Sequence, residues 1–527
     1  MPDRAGIRIG TIAVTELKLR FRRTTALVSV LLIAATVYLI VPDIRSGRTL
    51  MQINGQRALY TSAAVAFGTG MMCSILISMT GFYLVSNAFR RDIVSRVGLV
   101  ISATPVSNAE YLTGKFLGGA AYLAALVLAC MASAMVMFLL RGEGPLQPLT
   151  FLATYCWLNL PVIAFSAAAA IAFEASSRLS GRAGDLLFFF FWAAVLAIPA
   201  ATIENNMRAN WVQAFDIIGL GTVINQTSES MHTNEISIGA SNFDPAKGTI
   251  VYPGLTWNGE MIAMRFGALL LPGLLFGIAL LWFHRFDPVR VKHSIRHASG
   301  NVLGRVNGLL KPVTRVMTSI VLRWPVSKRG LGGAVIADCF TTLALSPLTV
   351  IAIGIFAVLS LTLNSAAVSQ GLLPALMAVL TVVLADIAPR DESSGMKPLL
   401  FTAPAIRQHY VIWKFVSALA VTLCFTAVPA LRLSITHVSS AISLVIGSTL
   451  IAAGAVGFGI LSRGPKLFVA IFLMLIYIAL NATHEPSFDF AGFNGCATPL
   501  VQCSYSGIAL VVLLFAELRH RTTLRNR

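Results

Sequence analysis

Two runs of this chain carry the residues best suited to ionic chemistry, and they are one pattern used twice. Arg91 to Phe116 reads RDIVSRVGLVISATPVSNAEYLTGKF, and Arg390 to Phe415 reads RDESSGMKPLLFTAPAIRQHYVIWKF. Without a gap, Arg91, Asp92, Ser95, Pro105, Tyr111, Lys115 and Phe116 fall on Arg390, Asp391, Ser394, Pro404, Tyr410, Lys414 and Phe415, each 299 positions on. Arg, Asp, Tyr and Lys offer ion pairs and hydrogen bonds, the chemistry of a docking surface. Pro105 and Pro404 disfavour helical geometry in the residue before them and can open a new helix after a break. A short helix would then run toward Tyr111 or Tyr410, with Lys115 or Lys414 one turn later. Tyr and Lys also favour membrane interfaces, but seven coincidences predict a shared functional loop that another protein touches twice. Asp92 and Asp391 are expected in solvated loops, where substitution costs little stability.

Other constellations are thinner. No G-x-x-x-x-G-K-[ST] phosphate loop occurs; AEYLTGKF has Gly114 and Lys115 but Ala109 where the first glycine should stand. ATP is therefore handled by a partner or not used. His484 and Asp489 form an H-x-x-x-x-D spacing, in which a His base oriented by Asp could serve acyl transfer; no Gly-Pro element accompanies them. The remaining histidines lack metal-ligand spacing, so no metal site is expected. Cys73, Cys130, Cys156 and Cys424 fall in apolar runs and read as small buried residues, with Cys339 just before one. Cys496 and Cys503 could close a disulfide in an oxidising compartment, or simply stack on one helix face.

Helices in a bilayer must carry these residues. The 527 residues are 56% hydrophobic and only 12% charged, with a mean hydropathy of +0.77, which excludes an ordinary soluble domain. The expected fold is an all-α polytopic membrane protein with about 12 transmembrane helices in two six-helix repeats, each span approaching roughly 20 apolar residues. The spans are 25–42, 61–88, 111–140, 150–172, 186–203 and 263–283, then 345–363, 372–388, 411–431, 440–461, 467–482 and 497–517. The net charge of +18 is no nucleic-acid signal. With the N-terminus inside, about four in five of the Lys and Arg fall on the inner side, as the positive-inside rule requires. Both termini are thus expected in the cytoplasm, beneath a plasma membrane, most simply a bacterial inner membrane. The first apolar run is long enough to stay as an anchor, so no removable signal peptide is expected. Acids within the spans are scarce, which argues against proton coupling; Asp386 lies at the inner end of span eight and Glu174 in an inner loop.

Three regions follow: a first transmembrane domain at 1–283, a basic connector at 284–335 and a second transmembrane domain at 336–527. Arg8 to Thr24 reads as a short amphipathic helix in the inner interface, and a related stretch, Gly333 to Leu345, precedes the seventh span. Setting Thr24 on Ser346 gives an offset of 322 rather than 299. The first half therefore holds extra residues, most simply in the outer loop near 43–60. The connector repeats apolar residues at helical spacing from Val302 to Trp324 among many Lys and Arg. It reads either as a membrane-surface helix bent at Pro312 and countered by anionic lipid, or as a helix docked on the bundle. The outer segment 204–262 is polar, too long for a turn and too short for an obvious domain; its counterpart, about 483–496, is much shorter.

On the interfacial helix, the six spans per half and above all RRDIVSRVGLVISATPVSNAEYLTGKFLG between spans two and three, the chain resembles the membrane subunits of ABC-2 type transporters. These are permeases of the type II ATP-binding-cassette exporter class. The resemblance implies two fused halves with no cofactor and no enzymatic activity of their own. ATP would be hydrolysed on a separate cassette ATPase, in two copies docked beneath the repeated loops. Each loop would be a coupling helix, with Arg91, Asp92, Pro105, Tyr111 and Lys115 at the first contact and Arg390, Asp391, Pro404, Tyr410 and Lys414 at the second. The second copy departs from the family's ATPVS wording, having TAPAI at Thr402 to Ile406. The substrate and the residues lining its path are not legible. A major-facilitator-like transporter is the alternative, its loop pattern echoed by Asp92, Arg96 and Gly98 in the first copy alone. A membrane acyl or lipid transferase, resting on His484 and Asp489, is a third reading.

Overall fold

A computed structural model of the chain describes residues 2–176, 179, 181–204, 215–233, 235–283, 330–344, 347–483 and 485–525. Two units emerge, Met1–Lys292 and His293–Arg527, so the division falls inside the basic connector. The connector helix expected at 302–324 lies outside the described residues.

In the first unit, α1 (Pro2–Phe21) and α2 (Thr24–Ile40) meet at 71° across Arg22 and Arg23. α3 (Ser62–Val85) follows, opened by the Thr61 hydroxyl, which accepts from the Ala64 N–H. Two short helices, α4 (Ala88–Val94) and α5 (Val97–Ser102), carry the first copy of the repeated loop. The long α6 (Asn108–Arg141) starts at a capping box in which Ser107 and Glu110 exchange bonds with each other's backbone. α7 (Pro148–Ala175), α8 (Arg182–Glu204), α9 (Leu220–Met231), α10 (Gly259–Gly267) and α11 (Leu270–Trp282) complete the unit. Its core sits between α3, α7 and α8, where Phe82 and Phe188 stack at 3.7 Å and Phe173 and Tyr83 meet them edge-on. Polar groups there are paired: Trp192 Nε1 donates to Ser78 Oγ at 2.8 Å and Ser166 Oγ to the Ile77 carbonyl at 3.0 Å.

The second unit holds α12 (Leu331–Ala344), α13 (Pro347–Thr362) and α14 (Leu373–Leu384), the last entered through a π-helical turn at Val368–Leu372. Its copy of the repeated loop is three short helices, α15 (Arg390–Ser393), α16 (Lys397–Leu400) and α17 (Pro404–Gln408). α18 (Tyr410–Thr436), α19 (Val438–Ser462), α20 (Lys466–Asn481) and α21 (Pro499–Arg525) follow, α18 packing on α19 and α19 on α21.

Among the described residues, eight helices are long and apolar enough to cross a membrane, and nine if the bent α1–α2 pair is one span. The architecture is therefore an α-helical polytopic membrane protein. Helices occupy the expected spans at 186–203, 345–363 and 467–482, but their apolar stretches, Gly184–Ala197, Thr349–Thr362 and Lys466–Asn481, are shorter.

Unforeseen is a four-stranded sheet, ordered β3-β1-β2-β4, built from two segments of the first unit, 48–58 and 236–250. β1 (Arg48–Ile53) and β2 (Gln56–Ala58) form a hairpin across Asn54 and Gly55, both at positive φ. That is the Asn-Gly turn whose twist suits a two-residue hairpin. β1 then pairs antiparallel with β3 (Ile236–Asn242), and β2 parallel with β4 (Thr249–Ile250). Met51, Ile53 and Ala58 pack with Phe67, Leu158, Tyr252 and Met261. The central strands of the sheet, 48–58, thus form the middle of a cap over α3 and α7.

Candidate functional site

The two copies of the repeated motif build the same buried ionic cluster. In the first unit, the start of α6 presents Tyr111 and Lys115 one turn apart. Both reach Asp92 on α4: the Tyr111 hydroxyl donates to Asp92 Oδ2 at 2.7 Å and Lys115 Nζ lies 2.7 Å from the same oxygen. Lys115 also pairs with Glu16 Oε2 at 2.8 Å, and Arg91 pairs with that oxygen too. In the second unit, Tyr410 donates to Asp391 at 3.2 Å, Lys414 pairs with Asp391 at 2.8 Å and with Asp338 at 3.1 Å, and Arg390 pairs with Asp338. In each unit a ring from a later segment lies on the tyrosine: Phe283, just past α11, stacks on Tyr111 at 5.5 Å, and His520 of α21 on Tyr410 at 5.3 Å.

Glu16 and Asp338 are the members that motif reading missed. They sit on α1 and α12, the helices preceding the first and seventh spans, and are related by the 322-residue offset rather than by that of the loop. Extending the Thr24–Ser346 register back by eight positions would have found them. The same register sets Ile12 on Ala334 and Arg20 on Thr342, and Arg390 Nη1 donates to Thr342 Oγ1 at 3.3 Å.

α1 can lie close to α6 because Gly114 and Gly118 face it. A Cβ on Gly114 would meet Ile12 Cβ at 2.7 Å, and one on Gly118 would meet the Ala13 carbonyl at 2.8 Å. In the second copy the small residue changes sides, with Trp413 at the Gly114 position and Ala334 at that of Ile12. Arg20 leaves α1 to donate to the Leu84 carbonyl at 2.9 Å and pairs with Glu16 at 2.7 Å. Burial opposes ionisation of Glu16, but the charges of Arg20, Lys115 and Arg91 outweigh it and hold the carboxyl at about 2.

Burial corrects the expectation of solvated acids. Asp92 is only 6% exposed and Asp391 7%, while Lys414 is fully enclosed. These residues shape the loop from within, because each carboxylate is neutralised by cations from other helices. Pro105 and Pro404 stand apart from the clusters. The Pro105 carbonyl accepts from Arg8 of α1 at 2.9 Å, and α6 starts at Asn108 rather than at the proline. Pro404 does open a helix, α17.

Among exposed polar residues such as Arg96, Glu392 and Arg407, each loop also exposes apolar side chains. Val97 and Val100 on α5 are 46% and 65% exposed; their register partners, Met396 and Leu399, are 47% and 62% exposed. The residue before each pair is left-handed, Arg96 at φ 60° and Gly395 at φ 71°. A main chain turned the same way thus presents apolar side chains at the same two positions of each copy.

The remaining candidates separate. Asp489 is buried and accepts the backbone N–H of Asn494 at 3.2 Å and of Cys496 at 3.0 Å. Its carboxylate closes its own loop; His484 lies outside the described residues. Cys496 and Cys503 are both free thiols, so the disulfide reading is not met. Cys496 contacts Asp489 Oδ2 at 3.7 Å ahead of α21, whereas Cys503 is exposed on that helix, so they share no helix face either. Cys73 and Cys130 are buried as expected, but Cys156 and Cys424 are exposed, on apolar helices whose outward faces suit lipid. Glu174 ends α7 and accepts the N–H of Asn87 and of Phe89, holding the start of α4. No group of three or more His, Cys, Asp or Glu able to hold a metal occurs among the described residues. The chain matches no protein-family model, no curated protein and no solved structure.

Proposed function

We propose that this chain is the permease subunit of an ATP-binding-cassette exporter, with twelve crossings in two fused halves, driven by a separate ATPase that docks on the two inner loops. The observation that carries the reading is the duplicated loop. Each copy is fixed from within by the same Asp–Tyr–Lys cluster, and each holds out an apolar pair at the same two positions, Val97 with Val100 and Met396 with Leu399. An apolar patch kept in water on a rigid, charge-locked support suits a partner protein, and duplication suits two copies of it. The contact residues are accordingly the exposed apolar side chains, with Arg91, Asp92, Tyr111 and Lys115, and Arg390, Asp391, Tyr410 and Lys414, holding them in place. The test is affinity capture of the tagged chain from its native membrane, with captured proteins identified by mass spectrometry. Wild type should bring down a cassette ATPase, and a V100D/L399D double variant that purifies normally should lose it. Capture without any ATPase, or an ATPase retained by the double variant, would overturn the proposal.

A further inference from the structure

The two ionic clusters differ in their charge balance. In the second unit Asp338 and Asp391 face Arg390 and Lys414, two against two. In the first, Glu16 and Asp92 face Arg20, Arg91 and Lys115. Arg23 adds a further cation one turn beyond Arg20. Glu174, the other acid nearby, is engaged by backbone N–H groups of Asn87 and Phe89. The excess belongs to the first copy, since Arg20 and Arg22 fall on Thr342 and Ala344.

Arg23 stands at the 71° corner between α1 and α2. Its side chain makes no ion pair or hydrogen bond among the described residues and does not cap α2. Burial, then the like charges of Arg91 and Arg20, push its guanidinium below the ordinary arginine range. Exposed Lys18, Arg22 and Arg90 add positive charge. Apolar side chains leave the corner along both helices. Ile7, Val14 and Phe21 repeat every seventh residue on the exposed side of α1, and Leu27 and Leu31 continue on α2. An apolar stripe edged by arginines is how a helix lies in the headgroup layer, with guanidinium groups at the depth of lipid phosphates.

We propose that this corner binds the phosphate of an anionic phospholipid, with Arg23 as its direct ligand and Arg20 and Arg91 supplying positive field behind it. A planar guanidinium with open donors suits a phosphate, and the apolar stripe favours a lipid over a free anion. The site is specific to the first half and independent of the transporter reading.

Native mass spectrometry of the full chain, titrated with phosphatidylglycerol and with phosphatidylcholine, tests it. Wild type should retain phosphatidylglycerol preferentially. Arg23→Gln should weaken that retention about tenfold, the loss of one charge-assisted contact, and leave phosphatidylcholine unchanged. Arg45→Gln, in the outer loop, should behave as wild type. Because Arg23 makes no ion pair or hydrogen bond among the described residues, its variant should purify and melt normally. Equal retention of the two lipids, or an unaltered Arg23→Gln, would overturn the proposal. Displacement of the lipid by millimolar inorganic phosphate would overturn its lipid source.

Discussion

Lys115→Met is the sharpest probe of the buried cluster. The substitution keeps the length of an apolar stem but removes a charge lying 2.8 Å from Glu16 and 2.7 Å from Asp92. Asp92 is then left with the Tyr111 hydroxyl and a distant Arg91 Nε at 3.7 Å. Removing one partner of a buried ion pair costs about 3–5 kcal/mol. Asp92→Asn alone keeps an acceptor for Tyr111 but loses a charged contact, at about 1.5–3 kcal/mol. The double variant carries no unpaired Asp92 carboxylate, so its cost should fall short of the sum by about 1–3 kcal/mol. The assay is equilibrium unfolding in mixed micelles titrated with a denaturing detergent, followed by tryptophan fluorescence. Additivity within about 0.5 kcal/mol would mean that the two groups act independently, and the clamp described above would be refuted. Lys414→Met with Asp391→Asn should repeat the result in the second unit.

Acid should expose Glu16 specifically. Its carboxyl is held at about 2, below the ordinary 4.5. The stabilisation, about 3 kcal/mol at 1.36 kcal/mol per pH unit, is therefore complete above the ordinary value and is lost as pH falls through the folded one. Glu16→Gln should be less stable than wild type at neutral pH, and the gap should close on acidification across that window; a constant gap would count against the assignment. Topology is open to impermeant thiol labelling in a cysteine-free background. A probe at Asp244, in the outer segment that feeds the sheet, should label from outside the cell and a probe at Arg96 should not, with the reverse pattern overturning the orientation.

Hydropathy alone determined that the chain is helical and membrane-embedded, because covering backbone polar groups in hydrocarbon leaves a run of apolar residues little choice but helix. The repeat was equally legible, since identity at a constant offset needs no structure, and it named Asp92, Tyr111 and Lys115 with their counterparts. Tertiary structure decided what those residues do. The carboxylate that pairs with Arg91 lies 75 residues away on another helix, and only packing of α1 against Gly114 and Gly118 brings it there. Local polarity therefore suggested solvated acids where burial against distant cations was the outcome. The four-stranded sheet escaped for the same reason: its hairpin had a local Asn-Gly signal, but β1 is completed by β3, with Gln52 reaching Ser241 across 189 positions. Apolar span and repeat are properties of short windows and are written in them; ion pairing and strand pairing belong to residues that meet only once the helices have packed.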